Sequence, residues 1–216
     1  KETDEILTYY KLLGVKTLGA DNVYINGSRN KFMDSYLGSM ISDTKVGTGL
    51  PPCTAVDKSE DTDLNGKSLV TSRLRDTDIE TLSIKDNKNG TVTLTIKPKS
   101  VQMSSPGADA QGRFFSTLGP MYDTFDQMLK QNGGKWTTGN AKKNLHMNYT
   151  GGTGTITINT SSGKITKATY NMKVNVDVQH VTISGMKNQR VQLRVIVKDT
   201  FPMSQELFDS SNLERL

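Results

Sequence analysis

The chain has 216 residues, of which 34% are hydrophobic and 23% charged, and it carries a formal net charge of +5. This length allows one large domain or two small ones, and the hydrophobic content is enough for a modest core. The sequence has no Lys/Arg cluster interleaved with aromatic residues, so it does not predict a nucleic-acid groove. It also lacks the roughly 18 consecutive apolar residues that a membrane-spanning helix requires.

Thr, Asn, Ser, Gly and Lys are abundant, a composition that favours an exported surface protein over a cytosolic enzyme. Cys53 is the single cysteine, so an internal disulfide is excluded. The chain begins at Lys1 without an initiating Met, which leads us to expect a mature or truncated product from which a targeting segment has been removed.

The first third of the chain, residues 1–66, is predicted to contain a helix and long loops. Ile6, Tyr9, Tyr10 and Leu13 have helical spacing and predict a short helix over residues 4–13. The stretch 21–66 shows weaker signals, with possible short elements at 23–25 and 31–40 and a long polar loop over 42–66.

A first β block is predicted over residues 67–102. Two alternating segments, 79–84 and 91–96, flank the pair Asn89-Gly90, and both of these residues tolerate positive φ. The pattern therefore predicts a β-hairpin in which Val92, Leu94 and Ile96 face inward.

The richest apolar stripe in the chain predicts a helix over residues 113–132. Its spacing of three and four residues is carried by Phe114, Phe115, Leu118, Met121, Tyr122, Phe125, Met128 and Leu129. Pro120 lies inside the stripe, so the helix either starts there or is kinked. We expect the stripe to cover one face of the sheet; the alternative is that its Met and aromatic residues line a ligand cavity.

A second β block is predicted over residues 144–200. Alternation is strict from Tyr170 to Val178, which predicts a half-buried antiparallel strand, and the segment 191–197 is its expected partner. Another hairpin is expected around Ser161-Ser162-Gly163. Residues 203–216 are predicted to form a C-terminal tail or helix.

These elements predict one α+β domain over residues 1–216. In this prediction, the two β blocks form a curved antiparallel sheet that packs against one main amphipathic helix, with a short helix at the N-terminus.

The residues of catalytic type do not form a recognisable constellation. His146 and His180 are too few for a metal site, and Cys53 has no partner at motif spacing. Asp78 and Glu80 are the best carboxylate pair for a hydrolase, but they are expected to be exposed on one strand. The sequence thus predicts no catalytic residue, no metal and no cofactor.

The exposed strand faces are more informative about binding. Thr155, Thr157 and Asn159 share one outer face, and a second polar set lies across the sheet at Asn171, Lys173, Asn175 and Gln179. A flat polar face of this kind could bind a polysaccharide if it also carries Tyr or Trp. Trp136, the sole tryptophan, is expected to be a local packing residue, with a ligand platform as the alternative.

Two segments carry a family resemblance. Residues 5–11 read Glu-Ile-Leu-Thr-Tyr-Tyr-Lys, and residues 154–172 contain Ser-Gly-Lys-Ile-Thr-Lys-Ala-Thr-Tyr-Asn-Met. Together they resemble uncharacterised secreted lipoproteins of Gram-positive gut bacteria, a domain of unknown function. The resemblance implies an extracytoplasmic location and an N-terminal lipid anchor upstream of Lys1. It implies no activity and no functional residues.

Three functional hypotheses follow. The first is a non-enzymatic cell-envelope protein, acting as a binding or structural module for a cell-surface polymer. The second is a carrier that holds a lipid or other apolar ligand between sheet and helix. The third is a carboxylate-dependent envelope hydrolase. Nucleic acid is not expected as a partner, and membrane contact is expected only through a removed lipid anchor. The candidate ligand-binding residues are Met121, Phe125, Met128, Trp136, Tyr170 and Met172.

Overall fold

The computed structural model describes residues 12–35, 43–49 and 74–201, apart from Pro106, Ser116, Leu118, Lys164 and Ser184. Within these residues, eleven strands form one antiparallel sheet. The strands are β1 (Leu12–Ile25), β2 (Ser28–Arg29), β3 (Asp43–Gly49), β4 (Ile79–Asp86), β5 (Thr91–Pro98), β6 (Val101–Gln102), β7 (Lys135–Trp136), β8 (Leu145–Tyr149), β9 (Thr153–Asn159), β10 (Ile165–Ile183) and β11 (Met186–Phe201).

The sheet is organised around β10, which is 19 residues long. The main strand order is β2-β1-β11-β10-β9-β5-β4, and β3 pairs with β1. One edge of β10 pairs with β11 along nearly its whole length, while the other edge pairs in turn with β9, β8 and β7. The pairing of β5 with β9 joins the two predicted β blocks into one sheet.

The two faces of the sheet differ in chemistry because side chains alternate along each strand. Even-numbered residues of β10 from Ala168 to Val178 are buried, and we call this side the core face. Odd-numbered residues from Thr169 to Gln179 are polar and at least partly accessible, and we call this side the polar face. The predicted alternation over 170–178 is therefore confirmed, as is its pairing with 191–197.

Short helices cover the core face. They are α1 (Ala110–Phe114), α2 (Tyr122–Gln131) and α3 (Ala141–Asn144), and residues 31–35 are also helical. Phe114 is fully buried in the core cluster, while Met33, Tyr122, Phe125 and Leu129 pack against that cluster from its margin. No helix in the described parts of the chain has the length and apolar character needed to cross a membrane.

The expectation of an α+β sheet packed against one main amphipathic helix is wrong, because the structure is dominated by strands and its helices are short. The apolar stripe predicted as a helix over 113–132 divides into α1, in which every residue is buried, and α2, in which none is. Phe115 is extended and Met121 has a φ of 44°, so the helical backbone is interrupted. Pro120, which cannot donate to a helix, lies within the interruption.

The reading of the first 66 residues as a helix with long loops also needs correction. The described part of this region contains β1, which pairs with β11 and β3. The predicted helix over 4–13 falls outside the described residues except for Leu12 and Leu13, which begin β1. The sequence does not predict β1, because Gly14 and Gly19 interrupt the alternation of its side chains. Pairing with β11 and β3, rather than a local pattern, places this segment in the sheet. The tail at 203–216 lies outside the described residues.

Both predicted hairpins are present. Ile84 pairs with Leu94 across the Asn89-Gly90 turn, where Gly90 has a φ of 79°. Ile165 pairs with Ile158 across the second turn, where Gly163 has a φ of 68°. Two-residue alternation on both sides of a positive-φ residue was sufficient to identify these turns.

Candidate functional site

The polar face forms a trough at the end where β1, β11, β10 and β8 lie side by side. The cavity has a volume of about 690 Å³ and is open to solvent. Because neighbouring strands are about 4.8 Å apart, the four strands give the trough a width of about 14 Å. Side chains from two successive cross-strand rows form its floor and walls.

The first row crosses the trough through four polar residues. Asp21 on β1 lies opposite Arg194 on β11, Arg194 lies opposite Asn175 on β10, and Asn175 lies opposite Asn148 on β8. Arg194 closes a bidentate pair with Asp21, in which Nε and Nη2 donate to the two carboxylate oxygens at 2.8 and 2.7 Å. This pair fixes one end of the row and leaves the two Asn amides available to a ligand.

The second row runs parallel to the first, two residues along each of the three strands β8, β10 and β11. Tyr24 lies opposite Gln192, Gln192 lies opposite Asp177, and Asp177 lies opposite His146. All four side chains can form hydrogen bonds, and the phenol ring of Tyr24 adds a flat apolar surface at the β1 end of the row.

A bulge in β1 sets the position of Tyr24. The register of β1 on β11 shifts between Asp21 and Tyr24, and Asn22 within the shift has a φ of 54°. The Val23 amide, displaced by the bulge, donates to Asp34 Oδ1 at 2.6 Å. Arg29 lies over the Tyr24 ring, 5.6 Å from its centroid, so the ring is supported on one side.

The tip of the β1–β2 hairpin closes the trough beyond Tyr24. Asn26, with a φ of 50°, and Gly27, with a φ of 81°, form the turn that the Asn-Gly pair favours. The Asn26 side chain donates to Gln189 Oε1 at 2.7 Å and accepts from the Arg190 amide at 2.9 Å. These bonds anchor the turn to β11.

Asp177 is the carboxylate closest to the middle of the trough, and its charge is balanced by Arg190. The Arg190 Nε and Nη2 atoms donate to its two oxygens at 2.9 and 2.7 Å, and Gln179 donates at 3.1 Å. Partial burial raises the pKa of Asp177, but the hydrogen bonds from Arg190 and Gln179 outweigh it, so the net pKa is lowered. Asp177 is therefore ionised at neutral pH, and its carboxylate is engaged in hydrogen bonds within the protein. It does not act as a proton donor.

The trough presents hydrogen-bonding groups and carries little net charge. Asp21 and Asp177 are each paired with an arginine, and the Tyr24 hydroxyl interacts with Arg29, while the amides and the imidazole of His146 remain as donors and acceptors. Among the described residues, no group of three or more His, Cys, Asp or Glu side chains could hold a metal ion. This arrangement suits a hydroxyl-rich ligand that lies across the strands.

The structure does not bring the six candidate ligand-binding residues together around one cavity. Tyr170 and Met172 are buried in the core, where the Tyr170 ring packs edge-on against Phe114 at 5.6 Å. Phe125 and Trp136 contact each other with ring centroids 5.8 Å apart at the margin of the core. Met121 and Met128 are exposed on the surface of α2 and the residue before it.

Trp136 packs locally in the structure. Its indole Nε1 donates to Asp126 Oδ1 at 2.8 Å, which ties β7 to α2. The Phe125 ring covers one side of the indole. This is the local packing role expected for a single tryptophan.

The residues considered for catalysis lie apart from one another. Asp78 is buried against Arg113, while Glu80 is exposed and paired with Lys97 at 2.9 Å. His146 faces the trough, whereas His180 bonds Asn188 at 2.7 Å through Nδ1 at a bulge with a φ of 52°. Cys53 lies outside the described residues.

Sequence reasoning identified part of the trough and missed the rest. The alternation of β10 placed Asn175 and Asp177 on an accessible face. Tyr24, Gln192 and Asn148 could not be associated with them, because their cross-strand neighbours depend on the register of β1, β11 and β8. The usable local signal was the Asn26-Gly27 pair, which marks the turn after Tyr24.

Comparison with known proteins gives no further assignment: no protein-family model, curated protein or solved structure matches this chain.

Proposed function

We propose that this chain is a non-enzymatic binding module of the cell envelope, located outside the cytoplasm, that holds a hydroxyl-rich surface polymer in the polar trough. The observation that carries the proposal is the pair of polar rows across β1, β11, β10 and β8. Their amides and the imidazole of His146 can exchange hydrogen bonds with hydroxyl groups, and the Tyr24 ring can pack against the apolar face of a sugar.

The rigidity of the trough supports binding over catalysis. Asp21 and Asp177 are each fixed by a bidentate arginine, and the two rows lie on paired strands. A site whose side chains are already in place loses little conformational entropy when a ligand binds. A hydrolase would instead need a carboxylate that is free to give or take a proton.

The proposed location rests on composition and resemblance. Thr, Asn, Ser, Gly and Lys dominate the sequence, and its two motifs resemble secreted lipoproteins of Gram-positive gut bacteria. Fractionation of the source cells, with an antibody raised against the purified chain, tests this part of the proposal. The expected result is signal in the envelope or secreted fraction; signal confined to the cytosol would overturn it.

Affinity electrophoresis through gels containing soluble polysaccharides tests the binding role. Dextran, methyl-esterified galacturonan and de-esterified galacturonan are suitable probes, since all are hydroxyl-rich and differ in charge. We expect retardation by at least one of them, and a loss of about tenfold in affinity in Tyr24→Ala/Gln192→Ala. Thr124→Ala/Gln127→Ala, at exposed positions on α2, which packs on the core face, serves as the matched control.

The result that would overturn the binding role is unchanged mobility on all three polymers, or retardation that the trough variant leaves intact. Native mass spectrometry before and after solvent extraction addresses the carrier hypothesis directly. We expect the same protein mass in both samples. If extraction removed a bound mass, the hypothesis of a surface-binding module would be replaced by that of a carrier for an apolar ligand.

A further inference from the structure

We infer that the polymer is anionic and that it continues from the trough along the rest of the polar face, which is lined by threonine and lysine. This inference rests on the proposed function and narrows its ligand to a polysaccharide carrying carboxylate or phosphate groups. It follows from three cross-strand rows beyond the trough and from the charges that these rows leave unbalanced.

The middle of the three rows consists entirely of hydroxyl side chains. It crosses five adjacent strands through Ser83, Thr95, Thr155, Thr169 and Thr200. Adjacent strands are about 4.8 Å apart, so the row presents hydroxyl groups at regular intervals over about 19 Å. Each hydroxyl can both donate and accept, which matches the hydroxyl groups of a sugar chain.

The rows on either side add lysines to this hydroxyl surface. One row contains Lys85, Thr93, Thr157 and Lys167, and the hydroxyls of Thr93 and Thr157 are 3.3 Å apart, which confirms that they share a face. The other row contains Thr153, Asn171, Lys198 and Thr17. Lys173 follows Asn171 on the same face of β10. We call this surface, with its three rows and Lys173, the threonine–lysine face.

The lysines of this face are not neutralised by the protein. Lys85, Lys167, Lys173 and Lys198 form no ion pair with any residue in the described ranges. The aliphatic stem of Lys173 passes Gly151, where a Cβ would meet its Cδ at 4.0 Å, so this side chain lies along the sheet. Four cations on one flat surface create a positive potential that attracts an extended anion.

The acidic groups on the polar face do not offset this charge. On the described strands they are Asp21 and Asp177, which pair with Arg194 and Arg190, and Glu80 on β4, which pairs with Lys97. The face therefore combines two neutral ion pairs at the trough and a third at its β4 edge with four lysines that form no ion pair within the described residues. Charge complementarity selects an anionic polymer, while the hydroxyl rows select one that is rich in hydroxyl groups.

A polysaccharide fits this surface better than a nucleic acid. Proteins that bind single strands supply aromatic platforms for successive bases, and the three rows contain only Ser, Thr, Asn and Lys. A sugar chain needs hydroxyl partners and one or two flat apolar contacts, which the rows and Tyr24 supply.

The test uses galacturonan, whose charge can be removed by methyl esterification without changing its backbone. Binding is measured by biolayer interferometry with immobilised polymer of either form. We expect the de-esterified form to bind about tenfold more tightly at 50 mM NaCl, and this advantage to disappear at 500 mM NaCl because exposed charges are screened. The triple variant Lys167→Gln/Lys173→Gln/Lys198→Gln should lose about tenfold in affinity for the anionic form.

Three lysines on the helices that cover the opposite face provide a matched control. Lys130, Lys142 and Lys143 are exposed on α2 and α3, and their replacement by Gln removes the same charge from the chain. We expect this control to bind the anionic polymer within about twofold of the parent, because the charge that matters is local to the threonine–lysine face.

The alternative outcomes show whether this inference fails alone or together with the proposed function. If both polymer forms bound equally and the Tyr24→Ala/Gln192→Ala variant lost this binding, the inference of an anionic ligand would be overturned. The proposed binding role of the trough would stand. Equal losses of affinity in the two triple-lysine variants would assign the effect to net charge. They would overturn the role of the threonine–lysine face. If the protein bound oligo-dT more tightly than de-esterified galacturonan, the proposed ligand would be a nucleic acid and not a polysaccharide. Failure to bind either galacturonan form or dextran would overturn both proposals.

Discussion

Phe114 occupies the space that a side chain at Gly154 would fill. A Cβ built on Gly154 would overlap the Phe114 ring and would lie 3.3 Å from Cδ1 of Tyr170. The neighbouring pair repeats the arrangement, since a Cβ on Gly152 would lie 2.9 Å from two ring atoms of Phe115. Gly154 and Gly152 thus leave room for the last ring of α1 and for the ring of the residue after it, and this close approach fastens the helix to the sheet.

The Gly154→Ala substitution is expected to destabilise the protein by about 1–3 kcal/mol, because the added methyl must displace a buried ring. Urea unfolding monitored by circular dichroism measures the change. Gly19→Ala is the control, since a Cβ at that strand position meets nothing within 4 Å. If both substitutions had the same small effect, the close packing of Phe114 on β9 would be contradicted.

The buried pair Asp78–Arg113 gives a second prediction. Arg113 Nε and Nη2 donate to the Asp78 carboxylate at 2.7 and 2.5 Å, and Nη1 donates to the Ala108 carbonyl at 2.8 Å. Arg113→Met should cost about 3–5 kcal/mol, because it leaves a buried carboxylate without its cationic partner. In the double variant Arg113→Met/Asp78→Leu, we expect much of this loss to be recovered. A double-mutant cycle in urea would refute the coupling if the two losses were additive.

The same pair predicts a pH dependence. The hydrogen bonds from Arg113 lower the pKa of Asp78 in the folded state, against the opposing effect of burial. The stabilisation is therefore fully present above the unfolded pKa of about 3.9 and is lost as pH falls through the lower folded value. The difference in unfolding free energy between the parent and Asp78→Asn should be constant from pH 5 to 7 and shrink below about pH 4. A difference that grew on acidification would contradict this sign.

Asp109 is expected to be the main local determinant of α1. Its carboxylate accepts from the Gly112 amide at 2.9 Å, the Ser105 amide at 3.0 Å and the Ser104 hydroxyl at 2.7 Å. Asp109→Ala should cost about 1–2 kcal/mol, the upper range for a lost N-cap, because two backbone amides and a buried hydroxyl lose their partner. Asn140→Ala, which removes a single exposed cap bond from α3, is the comparison and should cost less. Chemical denaturation of both variants checks the order.

The edge strand β4 is expected to limit solubility. It ends the main strand order of the sheet, and the side chains of Leu82 and Ile84 are 51% and 66% exposed. An accessible edge with apolar side chains can pair with another chain. Ile84→Lys should therefore raise the concentration at which aggregation begins, with less than about 0.5 kcal/mol change in stability. Light scattering during concentration measures the effect, and unchanged aggregation would rule out this edge as its source.

The sequence by itself determined the elements whose signals are local. The Asn89-Gly90 hairpin and the alternation from Tyr170 to Val178 were predictable, because turn chemistry and two-residue periodicity act over a few residues. The same alternation placed Asn175 and Asp177 on the accessible face of β10, so two of the eight residues in the trough's two rows were predictable from sequence.

The apolar stripe from Phe114 to Leu129 shows where local reasoning fails. Its spacing is helical throughout, yet only α1 and the extended Phe115 after it are buried in the core, because Phe114 and Phe115 fill the space over Gly154 and Gly152. Periodicity reports which residues could share a helical face, but it does not report which of them meet a complementary surface.

Only the tertiary structure decided the trough and the threonine–lysine face. Tyr24 and His146 are 122 positions apart in the sequence, and the register of three strand pairs brings them to the two ends of one row. A shift of one residue in any of these registers would move every side chain of that strand to the opposite face of the sheet. Cross-strand neighbours are set by pairing over long sequence separations, which is why the binding surface appears only when the sheet is assembled.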